Sequence, residues 1–179
     1  DPPHLGHREA VESLLRNPGV RNVVVVPAGN PPGKEASTPA EHRLEMTKLN
    51  FSRLREGLSL RVEIDDREIR RDSARPSYTL DTIEELRGEL ARPLAFVIGV
   101  DQVESLERWH RIRELLGLCH WIAIERRDPD EGWPEDATLS LSPANRMAGA
   151  LRRLSALGLL RSTSNPRTTP AIGRASFER

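Results

Sequence analysis

The chain has little of several things. It holds one cysteine, Cys119, in 179 residues. No disulfide framework can be built from that, and a reducing cytoplasm is the compartment it fits. Only 4% of the residues are aromatic, so stacking surfaces are few. Net charge is absent, since 27 Lys and Arg balance 27 Asp and Glu. That excludes a general attraction to nucleic acid or to an anionic membrane, although not a local basic pocket. No apolar run approaches the roughly 20 residues of a membrane span. Lysine is nearly missing, with Lys34 and Lys48 the only two. Arginine carries the positive charge, and no function follows from that bias. No repeat of fixed period is visible.

What is present is an alternation of helical and strand patterns, long enough for one α/β domain with a sizeable core. Val11, Leu14 and Leu15 give a first helix its apolar side, and Asn17-Pro18-Gly19 ends it. Val23 to Val26 is a β-branched run, as expected of a strand buried on both faces. Residues 28–36 are a loop rich in Gly and Pro. Thr38-Pro39-Ala40-Glu41 has the form of a capping box and opens a helix to about Arg55. Leu58 to Ile64 alternates as a strand does. Thr79 is expected to cap a helix that carries Leu80, Ile83, Leu86 and Leu90 on one side. Leu94 to Val100 and Trp121 to Ile124 are further buried strands, with a short helix from Ile112 to Leu116 between them. Pro143 to Leu157 is a last helix, closed by Gly158.

Strands joined by helical crossovers predict a doubly wound, mostly parallel sheet. One domain is expected over residues 1–179, with 128–179 its least defined part. Ligands in such sheets sit beyond the carboxyl ends of the strands. Three segments fall there by pattern alone: Asn30-Pro31-Pro32-Gly33-Lys34, Gly99-Val100-Asp101 and Arg126-Arg127.

The most informative segment is Asp1-Pro2-Pro3-His4-Leu5-Gly6-His7. The prolines fix φ and forbid a helix before them. Gly6 lets the backbone approach a ligand closely. The helix behind offers free N–H groups and the positive end of its dipole to an anion. His-x-x-His also suits a metal pair, because residues three apart share a helix face. His42, His110 and His120 stand singly, however, and no third ligand has suitable spacing. A phosphate chain is the better ligand for His4 and His7, and no metal-binding residues are expected.

Asp-Pro-x-His-x-Gly-His resembles the (H/T)-x-G-H signature of the nucleotidyltransferase superfamily. Three further motifs follow in the order found in bacterial nicotinate mononucleotide adenylyltransferases. Asn30-Pro31-Pro32-Gly33-Lys34 resembles their Asn-x-Pro-Pro-His-Lys loop, with Gly33 in place of histidine. Pro76-Ser77-Tyr78-Thr79 resembles a stretch that contacts the mononucleotide there. Ile98-Gly99-Val100-Asp101 resembles their Ile-Gly-x-Asp, and Trp109 stands where the family stacks a tryptophan on the nicotinate ring. The resemblance runs from Asp1 to about Arg127.

The resemblance implies a Rossmann-like nucleotidyltransferase fold and a cytoplasmic enzyme of NAD biosynthesis. It would join ATP and nicotinate mononucleotide into deamido-NAD and pyrophosphate, with Mg²⁺ entering alongside ATP. His4 and His7 would be catalytic. ATP would meet His4, Gly6, His7, Gly99, Asp101 and Arg126. The mononucleotide would meet Asn30, Lys34, Ser77, Tyr78, Thr79 and Trp109. No nucleic acid or membrane partner is expected, and self-association is left open. The family's first strand and Gly-Gly-x-Phe turn precede this signature, so a chain starting at Asp1 is expected to be a fragment or a late start. Its late Ser/Thr-rich motif ending in arginine has one weak candidate, Ser162 to Arg167, and is expected beyond residue 179. Two rivals remain: transfer to another phosphate such as phosphopantetheine, or an inactive nucleotide-binding remnant.

Overall fold

The computed structural model describes residues 3–33, 38–54, 57–71, 74–103 and 105–124. The chain divides into two compact units, Asp1–Tyr78 and Thr79–Arg179. The boundary falls inside Pro76-Ser77-Tyr78-Thr79.

The first unit contains α1 (Leu5–Arg16), β1 (Val23–Val25), α2 (Ala40–Phe51), β2 (Val62–Ile64) and α3 (Arg67–Arg70). β1 and β2 pair in parallel, with Val23 opposite Val62 and Val25 opposite Ile64. Parallel neighbours need a long crossover, and α2 lies within it. Val11 and Leu15 of α1 pack with Phe51 and Leu54, and Val23, Val25, Val62 and Ile64 lean on that cluster.

Two expectations need correction in this unit. Residues 59–61 form a 3₁₀ turn, so only 62–64 is strand. The cause is Arg61, which turns back to the main chain. Its Nε donates to Arg21 O at 2.7 Å and its Nη1 to Leu15 O at 2.9 Å, while Nη2 donates to Val20 O. Leu60 is consequently 92% exposed. The capping box at Thr38 does not form either. α2 starts behind Pro39 with no side-chain cap, and it stops at Phe51, short of Arg55.

The turn after β2 is held by a buried ion pair. Arg67 N–H donates to Asp65 Oδ1 at 2.9 Å and its Nε to Oδ2 at 2.7 Å. Burial alone would raise the Asp65 carboxyl, but the bonds from Arg67 outweigh it and hold the group below its ordinary value. A carboxyl depressed in the folded state stabilises at pH above its unfolded value and loses that contribution as pH falls through the folded one. The expected result is a fall in melting temperature of the wild type below about pH 4. The Asp65→Asn variant should start lower at neutral pH and show a shallower acid limb. Superimposable acid limbs would show that Asp65 contributes nothing to acid sensitivity.

The second unit contains α4 (Thr79–Glu89), β3 (Ala95–Gly99), α5 (Val100–Val103), α6 (Ile112–Leu118) and β4 (His120–Ile124). β3 and β4 are parallel and pair from Ala95–His120 to Gly99–Ile124. Leu80 and Ile83 of α4 pack with Ile98, Leu115, Leu116 and Trp121. α4 begins at Thr79 itself, one residue earlier than a Thr79 cap implies. β3 has one buried face, with Ile98 inward and Ala95 and Val97 outward. Cys119 is half-buried, and burial pushes its thiol up to about 11, which leaves it unreactive. The helix expected from Pro143 to Leu157 lies outside the described residues. Among the described residues no helix is long and apolar enough to cross a membrane.

Candidate active site

His4 is the N-cap of α1, in extended backbone at φ −129° and ψ 176°. Its N–H donates to His7 Nδ1 at 3.2 Å, and His7 N–H donates to His4 O at 3.0 Å. His7 thus takes the part that Glu or Gln plays in an ordinary capping box. The bond also fixes the ring. A neutral imidazole that accepts at Nδ1 carries its proton on Nε2, where it can donate to an anion. The two rings lie 4.0 Å apart at 41°. Both histidines are exposed. Asn50 of α2 donates to His4 O at 3.4 Å and ties the helix start to its neighbour. The Gly6 backbone lies against the His4 ring, since a Cβ there would meet His4 Cε1 at 3.1 Å and Nδ1 at 3.2 Å. The first turn of α1 has no acidic residue. No carboxylate in that turn offsets the positive end of the dipole. Among the described residues no group of three or more His, Cys, Asp or Glu could hold a metal ion.

The loop beyond β1 is brought together with the Pro76-Ser77 stretch. Asn30 N–H donates to Ser77 Oγ at 3.0 Å, and Ser77 N–H donates to Asn30 O at 2.7 Å. Asn30 Nδ2 donates to Arg75 O at 3.4 Å. Ser77 is buried, so its hydroxyl oxygen serves the loop, while Tyr78 and Thr79 are half-buried. Gly29 passes directly over α3. A Cβ there would lie 2.0 Å from Glu68 O and 2.8 Å from Ser77 Oγ.

One residue at this loop went unnoticed in the sequence. Arg43 of α2 is buried, and its guanidinium donates to Ala28 O at 2.6 Å, to Gly29 O and to Thr38 O. No sequence signal announces it, because the carbonyls that it serves belong to every residue and leave no pattern. Lys34 lies outside the described residues.

In the second unit Gly99 ends β3 and Asp101 lies in α5, which follows at once. A Cβ on Gly99 would sit 2.4 Å from Asp101 Oδ1. Glycine is what lets the carboxylate fold over the strand end. Asp101 is exposed and accepts from Gln102 Nε2 at 2.9 Å. Trp109 is half-buried and belongs to an aromatic cluster. Its ring lies 6.0 Å from Phe96, edge to face, and 6.3 Å from Trp121. One part of the ring is packed against the core and the rest is open. The next helix starts from Arg111 in the left-handed region at φ 47°, with its side chain paired to Glu114. Arg126 and the segment Ser162 to Arg167 lie outside the described residues.

A "Probable nicotinate-nucleotide adenylyltransferase" of Yersinia enterocolitica is 40% identical over 129 residues, 70% of this chain and 56% of that protein. One of Pectobacterium atrosepticum is 39% identical over 70% of this chain and 57% of its own length. The chain therefore spans a little over half the length of these curated relatives. The solved nicotinic acid mononucleotide adenylyltransferase of Plasmodium falciparum, complexed with NaAD, superposes with a TM-score of 0.59 at 16% identity, covering 70% of this chain and 61% of that one. That likeness shows the fold, a Rossmann-like α/β nucleotidyltransferase fold, as the sequence leads one to expect. Residues 1–160 match the family described as "Cytidylyltransferase-like". The chain belongs to the cytidylyltransferase-like family.

Proposed function

We propose that the protein transfers the adenylyl group of ATP to nicotinate mononucleotide, giving deamido-NAD and pyrophosphate. The observation that carries this reading is the His4–His7 arrangement at the start of α1, with Nδ1 of His7 accepting the His4 N–H. The names of the curated relatives and of the Plasmodium falciparum structures, one with NaAD and one with APC, support the choice of substrates.

In this reading a phosphate oxygen of the mononucleotide attacks the α-phosphorus of ATP in line. A new P–O bond forms, the α–β bridging bond breaks, and pyrophosphate leaves. His4, His7 and the α1 N–H groups bind the triphosphate and stabilise charge on the departing oxygens. Gly99 and Asp101 receive the adenosine. Asn30, Ser77, Tyr78, Thr79 and Trp109 receive the mononucleotide. Lys34 and Arg126 add positive charge at the phosphates. Mg²⁺ would enter with ATP and would supply positive charge at the phosphates beside His4 and His7. The reaction takes place in the cytoplasm.

The test is product analysis with Mg-ATP and a panel of nicotinate mononucleotide, nicotinamide mononucleotide and phosphopantetheine. Deamido-NAD with stoichiometric pyrophosphate is expected. Product from phosphopantetheine alone would move the substrate assignment. No product from any of them would make this chain a nucleotide-binding remnant.

Trp109 offers a sharper check. Stacking of a flat ring on an aromatic side chain contributes roughly 1–3 kcal/mol. Trp109→Ala is therefore expected to raise KM for the mononucleotide about tenfold and leave KM for ATP nearly unchanged. Equal damage to both substrates would assign Trp109 to the Phe96–Trp121 cluster alone.

A further inference from the structure

Arg43 lies in the first turn of α2, away from the motifs that suggested the function, yet the residue is 4% exposed and its side chain reaches the loop they define. Three of its acceptors fall at the two ends of that loop. Ala28 O and Gly29 O are where the chain leaves β1, and Thr38 O is where it enters α2. The segment between them carries Asn30 and Lys34. Asn30 is fixed in turn by two bonds to Ser77, its N–H donating to Ser77 Oγ and its carbonyl accepting from the Ser77 N–H. We propose that Arg43 is the positioning residue of this loop: its guanidinium staples the loop's two ends so that Asn30 keeps the place at which the mononucleotide is received. The second half of that statement rests on the adenylyl-transfer reading, and the first half does not.

Only arginine has this reach. A guanidinium carries five N–H donors in a planar fork and can serve carbonyls on both sides of a loop at once. An ammonium is a single point of charge, and from α2 it can face one end or the other.

The experiment compares the wild-type chain with Arg43→Met and Arg43→Lys, using amide hydrogen exchange over residues 27–33, KM for each substrate, kcat and melting temperature. Both variants are expected to speed exchange at the Asn30 amide about tenfold or more. They should raise KM for the mononucleotide by about the same factor. KM for ATP and kcat should stay within about twofold of wild type. In the wild type, the Arg43 guanidinium N–H signals should be resolved and slow to exchange, a measurement that requires no variant. An unchanged Asn30 amide, a wild-type-like Arg43→Lys, fast guanidinium exchange, or equal losses for both substrates would overturn the proposal. If the wild type transfers no adenylyl group, the functional reading fails by itself, and the exchange data still decide the staple.

Discussion

His7→Ala is expected to slow adenylyl transfer about 10²–10³-fold, the usual effect of removing one donor from a site of developing charge. His7 is exposed and fills no core volume. Its structural part is small: it accepts the His4 N–H and closes the first turn of α1. That capping bond contributes about 1 kcal/mol, so the melting temperature should fall by only about 2–4 °C. His7→Gln separates the two roles. Glutamine is a natural capping-box residue at this position, so it restores the helix start and offers no imidazole Nε2. Both variants should be equally slow, and the glutamine variant should melt like wild type. Single-turnover rates with saturating ATP make the measurement. Turnover near normal in His7→Gln would reduce His7 to a cap.

Gly29→Ala is the second large effect, and it is steric. The added Cβ would lie 2.0 Å from the Glu68 carbonyl oxygen, 2.6 Å from its carbon and 2.8 Å from Ser77 Oγ. Two of these three obstacles are backbone atoms, which cannot rotate away as a long side chain would. Either α3 or the loop has to move. Such overpacking costs about 3 kcal/mol or more when the obstacle is rigid. The Asn30–Ser77 bonds lie next to the clash, so the same substitution should raise KM for the mononucleotide. Urea unfolding and substrate titration of one preparation would read both. A midpoint within about 0.3 M of wild type, worth under 1 kcal/mol at ordinary m-values, would mean that the loop shifts freely and that its shape is not built in.

Much of this was legible in the sequence for identifiable reasons. The start of α1 behind His4 was legible, because the prolines forbid a helix before them. α1 and α4 were legible because Val11, Leu14, Leu15 and Leu80, Ile83, Leu86 recur at helical period and are buried as that period requires. Gly99 was legible as a close approach, although its neighbour turned out to be its own Asp101. Other features were misread because the competing interaction leaves no pattern. Leu58 to Ile64 alternates, but Arg61 bonds three main-chain carbonyls and winds 59–61 into a turn. Thr38 looked like a cap, yet what the structure uses is its carbonyl, as an acceptor for Arg43.

Arg43 and Arg61 between them serve six main-chain carbonyls, one guanidinium at each end of β1. A substitution table that scores arginine and lysine as near neighbours would be right about Arg70, whose exposed side chain pairs with Asp66 one helical turn away. It would misjudge those two positions. Charge is the property such a table preserves, and at Arg43 and Arg61 the useful property is the number and direction of N–H bonds. A lysine-for-arginine scan of this chain should therefore sort its arginines into two populations by stability, and the rare intolerant ones would mark where the chain is clasped to itself.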